Sequence, residues 1–172
     1  MPTPKQLLFS LLALTLLVAV VTDLTRRKIP DLLTFPAMAL GLGLRLFFEG
    51  LGDLNTGLLS GLAGLGVAVA WFGAFALSKK GMGWGDVKLA GVMGAAFGMP
   101  LSLGAVAFVS LAGAFQAVVS LIWAGALSDT VRGVLAQKAE GSSDTTPKRQ
   151  IPYGVAIALG SVWAMWWDGN AF

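Results

Sequence analysis

Gly81-Met82-Gly83-Trp84-Gly85-Asp86-Val87-Lys88-Leu89 is the stretch around which this chain is organised. Three alternating glycines make a turn that ends in a carboxylate, and an apolar run follows at once. No charge occurs between Lys88 and Leu127. That run is too long for one bilayer crossing and suits two, since a crossing takes about 20 apolar residues. The strong break inside it is Gly98-Met99-Pro100. Breaking there predicts a short fourth helix over 87–98. At the helical rise it is roughly 18 Å long against a hydrocarbon core of roughly 30 Å, which would recess Asp86 below the bilayer surface.

Working outward, a second carboxylate, Asp23, closes the first apolar run, and Thr25-Arg26-Arg27-Lys28-Ile29-Pro30 follows it. The chain has 172 residues, 56% of them hydrophobic and only 12% charged. Its mean hydropathy is +0.77. Soluble domains carry about 25% charged residues, so this chain belongs in a bilayer. The pattern predicts an all-α integral membrane protein, a six-helix bundle in one domain. The helices are expected at about 6–24, 32–48, 54–77, 87–98, 101–127 and 151–167, with cytoplasmic loops at 25–31, 78–86 and 128–150. The last loop is polar around Gly141 to Pro147, with room for a short surface helix over 131–138. The first run lacks a small-x-small cleavage site and a strong basic start, so it reads as a retained helix rather than a secretory signal.

Charge sets the expected orientation. Arg26, Arg27, Lys28, Lys79, Lys80, Lys88, Arg132, Lys138, Lys148 and Arg149 fall in or beside the three loops that share one side, leaving only Lys5 and Arg45 of the 12 cations. The positive-inside rule then puts both termini on the outer face and Asp23 and Asp86 at the cytoplasmic face. Topology accounts for the net charge of +3 better than nucleic acid does. Trp163, Trp166 and Trp167 suit an interfacial aromatic belt. Gly57 and Gly61 form a small-xxx-small face for helix packing. Arg45 has two readings, a buried ion pair with Glu49 or a side chain snorkelling to the far interface, and the second is favoured.

The chain contains no cysteine and no histidine. Disulfides, thiolate zinc sites, the serine triad and the HExxH site are thereby excluded. Acid–base chemistry falls to Asp, Glu, Lys or Tyr153, and no metal or cofactor is expected. Asp23 and Asp86 are 63 positions apart, but the topology puts them at one depth. Two adjacent carboxylates cannot both ionise, so they share a proton. One then activates water while the other polarises a carbonyl, which is aspartic-protease chemistry. Asp86 starts a helix and Asp23 ends one, which favours Asp86 as the carboxylate and Asp23 as the acid. The cations 26–28 push Asp23 the other way, and in a coupled pair the assignment need not belong to one residue. Gly81, Gly83 and Gly85 permit positive φ and the close approach of an extended peptide. Asp31 reads as a cap for the second helix in preference to a third acid. Each aspartate taken alone could also be nothing more than a helix terminus.

Three blocks in order carry a resemblance: Asp23 with Arg26 to Pro30, the GxGD motif Gly83-Trp84-Gly85-Asp86, and Ile151-Pro152-Tyr153-Gly154-Val155-Ala156. Over nearly the whole chain they resemble the type IV prepilin peptidase family, in particular its small tight-adherence (Flp) members. The resemblance implies a six-helix GxGD aspartic endopeptidase of the inner membrane. Such an enzyme removes the short basic leader of prepilins on the cytoplasmic side, serving pilus biogenesis and secretion. It implies Asp23 and Asp86 as the catalytic pair, with Gly81, Gly83, Gly85 and Lys88 in the active-site loop. Ile29, Pro30, Pro152, Tyr153 and Gly154 are motif positions on the substrate side. Larger members carry a cysteine-bearing domain and N-methylate the new terminus, so a peptidase without methylation is expected here. Asp31 stands where the family often has Asn. The implied partners are a prepilin helix and the lipid bilayer, with no nucleic acid and no assigned oligomeric state. The rivals are an archaellin-type leader peptidase, a non-catalytic pilus assembly protein, and a six-helix proton- or cation-coupled transporter. A transporter would place its acids near mid-membrane.

Overall fold

The computed structural model describes residues 3–26, 29–77, 83–123 and 153–168, apart from the side chains of 121 and 123. Within them are six helices: α1 (Pro4–Arg26), α2 (Asp31–Glu49), α3 (Gly57–Leu77), α4 (Trp84–Phe97), α5 (Leu101–Trp123) and α6 (Tyr153–Trp167). α1, α2, α3 and residues 101–120 of α5 are long and apolar enough to cross a membrane. The protein is all-α and multi-pass. Arg27, Lys28, Lys79, Lys80, Gly81, Ile151, Pro152 and the expected polar loop 128–150 lie outside the described residues.

Local chemistry explains the boundaries. Pro30 caps α2 with extended backbone, φ −71° and ψ 137°. Its ring blocks helix continuation from before, while its carbonyl accepts the N–H of Leu33 at 3.0 Å. Gly50 ends α2 with φ 72°, a conformation that strains any other residue. The 50–56 connection then turns tightly through Gly52 and into Gly57, the first residue of α3, both at positive φ. Gly57 therefore serves the turn, which is why α3 starts there rather than at the expected 54. Its expected place in a packing face passes to Gly61 and Gly64. Gly98, at φ 63°, ends α4, and its N–H returns to the Gly94 carbonyl at 2.9 Å.

α4 is the hub and contacts every other described helix. It has no polar face: from Leu89 to Phe97 every side chain is buried. A helix apolar all round belongs in the centre of a bundle. Small residues bring its neighbours in. A Cβ on Gly94 would strike the Gly64 carbonyl, and a Cβ on Gly64 would strike the Gly94 carbonyl, so α3 and α4 meet backbone to backbone. A Cβ on Gly160 would lie 2.5 Å from Val109, the corresponding contact between α5 and α6. Phe9 of α1 packs edge-on against Phe97 with centroids 5.5 Å apart. Trp163, Trp166 and Trp167 remain largely exposed at the end of α6, as an interfacial belt requires.

Arg45 departs from the favoured reading. It does not snorkel but is 7% exposed. Its Nε donates to the Ala95 carbonyl at 3.0 Å and Nη2 to the Ala96 carbonyl at 2.8 Å. Nη1 pairs with Glu49 Oε2 at 3.3 Å, and that oxygen also accepts the Gly57 N–H at 2.7 Å. The last carbonyls of α4 have no helical partner, and a cation belongs at that end of the dipole. Those vacant acceptors hold the guanidinium inside.

Candidate functional site

Both key aspartates stand at the end of the bundle opposite Arg45. Asp23 lies in the last turn of α1 and is 8% exposed; Asp86 lies in the first turn of α4 and is 9% exposed. Their carboxyl groups are within electrostatic reach of each other. The N-terminus of α6 completes the group. The Gly154 N–H donates to Asp23 Oδ2 at 3.2 Å. A Cβ on Gly154 would sit 2.8 Å from the same oxygen, so the close approach requires glycine.

This contact changes the electrostatic reasoning. Counting each residue's own helix favoured Asp86 as the anion and Asp23 as the acid. In the fold Asp23 also faces the free N–H groups and positive dipole end of α6. Both carboxyls therefore sit at a helix N-terminus, and helix position no longer separates their roles.

The glycine motif has a different shape from the one expected. α4 begins at Trp84, three residues before the expected 87, because Gly83 caps it with extended backbone at φ −68° and ψ 146°. Its carbonyl accepts the Asp86 N–H at 3.1 Å. Gly85 lies inside the helix. Neither glycine takes positive φ, which among the described residues is confined to Gly50, Gly52, Gly57 and Gly98. Close approach is their actual role. A Cβ on Gly85 would lie 3.3 Å from Ile29 Cβ, and one on Gly83 would lie 3.3 Å from Asp86 Oδ2.

Lys88 is on α4 rather than in a loop. Two residues beyond Asp86, it turns to another side of the helix and meets α2. Its Nζ is 2.7 Å from Asp31 Oδ1 and 5.2 Å from the centroid of the Phe35 ring. Asp31 is accordingly not the cap of α2. Pro30 holds that position without a side-chain hydrogen bond, and Asp31 is the first residue inside the helix. The pairing joins positions 57 apart in sequence, so no local pattern announces it.

Of the other motif positions, Ile29 touches Gly85 and Pro30 is exposed at the head of α2. Tyr153 packs toward α5, where a Cβ on Gly113 would lie 3.6 Å from its ring. Among the described residues no group of three or more His, Cys, Asp or Glu is placed to hold a metal ion. What the site offers is two buried carboxyl groups on separate helices. One is oriented by a backbone N–H, and both lie in terminal turns at one end of the bundle.

Comparison with known proteins fits this arrangement. The profile of the type IV leader peptidase family matches residues 10–118, which include Asp23 and Asp86. A prepilin leader peptidase/N-methyltransferase of Pectobacterium carotovorum subsp. carotovorum is 30% identical over 156 residues, covering 90% of this chain and 49% of that protein. A protein of the same description from Pseudomonas aeruginosa is 29% identical over 163 residues, covering 94% and 48%. The chain thus spans about half the length of the curated relatives it matches. No solved structure matches it.

Proposed function

The chain belongs to the type IV leader peptidase family, and from that premise we propose that it is a membrane aspartic endopeptidase working through Asp23 and Asp86. Its substrates are prepilins or pilin-like proteins, and the bond it cuts joins the short basic leader to the apolar helix that follows. The observation that carries the reading is the pair itself. Two acids on different helices, both buried, converge at the end of the bundle opposite the buried Arg45. Burying two carboxyls within electrostatic reach of each other is costly, and sharing one proton between them lowers that cost.

The chemistry follows from that shared proton. The ionised carboxylate takes a proton from water as the water oxygen bonds to the scissile carbonyl carbon. The protonated carboxyl gives its proton to the carbonyl oxygen. Collapse of the tetrahedral adduct breaks the C–N bond, and the leaving amine departs with a proton from the dyad. Gly154 fixes Asp23 during these transfers through its N–H. The excess of cations in or beside sequence segments 25–31, 78–86 and 128–150, with only Lys5 and Arg45 elsewhere, supports a cytoplasmic site in the inner membrane, with both termini outside. The placement of the acids in terminal turns, rather than near mid-helix, speaks against an ion-coupled transporter.

Co-expression with a candidate prepilin tests this, with leader removal followed on a gel. Wild type is expected to shorten the substrate. Asp23→Ala and Asp86→Ala are expected to insert in the membrane and leave it uncut. Normal cleavage by either variant would refute the two-aspartate mechanism.

A further inference from the structure

We propose that Lys88 and Asp31 are a positioning pair that sets the distance between Asp86 and Asp23. The inference rests on the peptidase reading and names a device within that site. Asp23 and Asp86 belong to helices that share no turn, so something must fix their relative placement. Ile29 follows the last residue of α1 by three Cα steps, at most about 11 Å. The head of α2 is thus tethered closely to the helix that carries Asp23. Two contacts bind that head to the first turns of α4. The backbone and Cβ of Ile29 lie against Gly85, where no side chain intervenes. Two residues beyond Ile29 and three beyond Gly85, Asp31 meets Lys88 at 2.7 Å, and the Phe35 ring lies beneath the ammonium.

The pair is a poor stabiliser by its exposure. The Asp31 side chain is 61% exposed and that of Lys88 30%. Such pairs contribute at most about 1 kcal/mol to stability. Geometry is a more sensitive quantity, because a displacement of about 1 Å at a reacting group costs on the order of a hundredfold in rate. Lys88 sits two positions from Asp86 on the same helix and points elsewhere, so it acts on the dyad through the helix and not by touching the reacting atoms.

Two readouts test the pair in the full-length protein in membranes. The first is independent of cleavage. The chain has no cysteine, and a Cβ added at Gly85 would lie 3.3 Å from Ile29 Cβ, just inside the roughly 3.5–4.5 Å of a disulfide. Ile29→Cys/Gly85→Cys should therefore oxidise readily. Adding Asp31→Lys or Lys88→Asp should slow its closure severalfold, and adding both should restore it. The second readout is prepilin cleavage without the cysteines. Each single reversal should lower kcat by about tenfold with little change in KM, and the swap should recover most of it. Singles that behave as wild type in both assays would overturn the proposal. So would a swap no better than its worse single, or a loss confined to KM, which would mean the charges meet substrate. If no prepilin is cut even by wild type, the peptidase reading fails while disulfide closure still decides whether the pair holds α4.

Discussion

The two ends of α4 solve the same physical problem in opposite ways. At its C-terminal end the unpaired carbonyls of Ala95 and Ala96 are taken by Arg45, and the Gly98 N–H closes on Gly94. Ser60 ties down the next residue, with its Oγ accepting the Met99 N–H at 2.9 Å. The cation is balanced by Glu49, which in turn holds the N–H of Gly57. At the N-terminal end Gly83 provides no side-chain cap. The acid of the first turn, Asp86, sits within reach of a second acid, and the charged contact beside it is half in water. One end is neutralised, buried and anchored. The other keeps two acids within electrostatic reach, with no cation bonded to either among the described residues.

Mutations should separate the anchor from the site. The largest effect is expected from moving one acid. Asp86→Glu keeps the charge and adds a methylene, and it should slow leader cleavage about a hundredfold with unchanged membrane insertion. A rate near wild type would mean the position of that carboxyl is not critical. Arg45→Met should do the reverse. It leaves the carbonyls of Ala95 and Ala96 and the Glu49 carboxylate without their cation, at a cost of about 3 kcal/mol. A thermal melt in detergent should show a clear fall in the midpoint, while the cleavage rate per folded molecule at low temperature changes little. A fall in rate with no fall in midpoint would show that the ends are not separable.

Gly154→Ala should sharpen the picture on the site side. Its methyl group would meet Asp23 Oδ2 at 2.8 Å and push the carboxyl aside, lowering kcat by about tenfold with a smaller change in melting. The smallest effect belongs to the far-end loop. Asp53 Oδ1 accepts from the N–H groups of Asn55 and Thr56 and from the Thr56 hydroxyl, which hold its carboxyl below the usual value. A lowered folded value means its contribution is present at neutral pH and is lost as the pH falls through that value, below 3.8. Because the group is fully exposed, Asp53→Ala should leave both melting at pH 7 and cleavage within error. The difference in midpoint between the two proteins should also stay within error on acidification.

These contrasts also explain what the sequence could reveal. Apolar runs, Pro30, Gly98 and the clustering of cations are local signals, and they were enough to read an all-α membrane bundle and to single out Asp23 and Asp86. Gly154 stood out as a motif position, but its N–H on Asp23 spans 131 positions. Arg45 departs from the snorkelling expectation because its acceptors are backbone carbonyls 50 and 51 residues away, and no composition marks a carbonyl as vacant. Asp31 departs from the capping expectation for a similar reason: the cation that claims it lies on another helix. The sequence reads Gly83 and Gly85 as permitting positive φ and the close approach of an extended peptide. Their actual constraint is space beside Ile29 and Asp86, which depends on packing between helices.

The central claim is that the two aspartates act as one unit, and a mutant cycle measures that most directly. Purified wild type, Asp23→Asn, Asp86→Asn and the double variant would be compared for single-turnover cleavage of one prepilin. Asparagine keeps the shape and removes the shared proton. The account predicts that each single variant loses at least about a thousandfold and that the double variant is no slower than either. A double loss equal to the product of two modest single losses would show two independent groups and contradict the dyad.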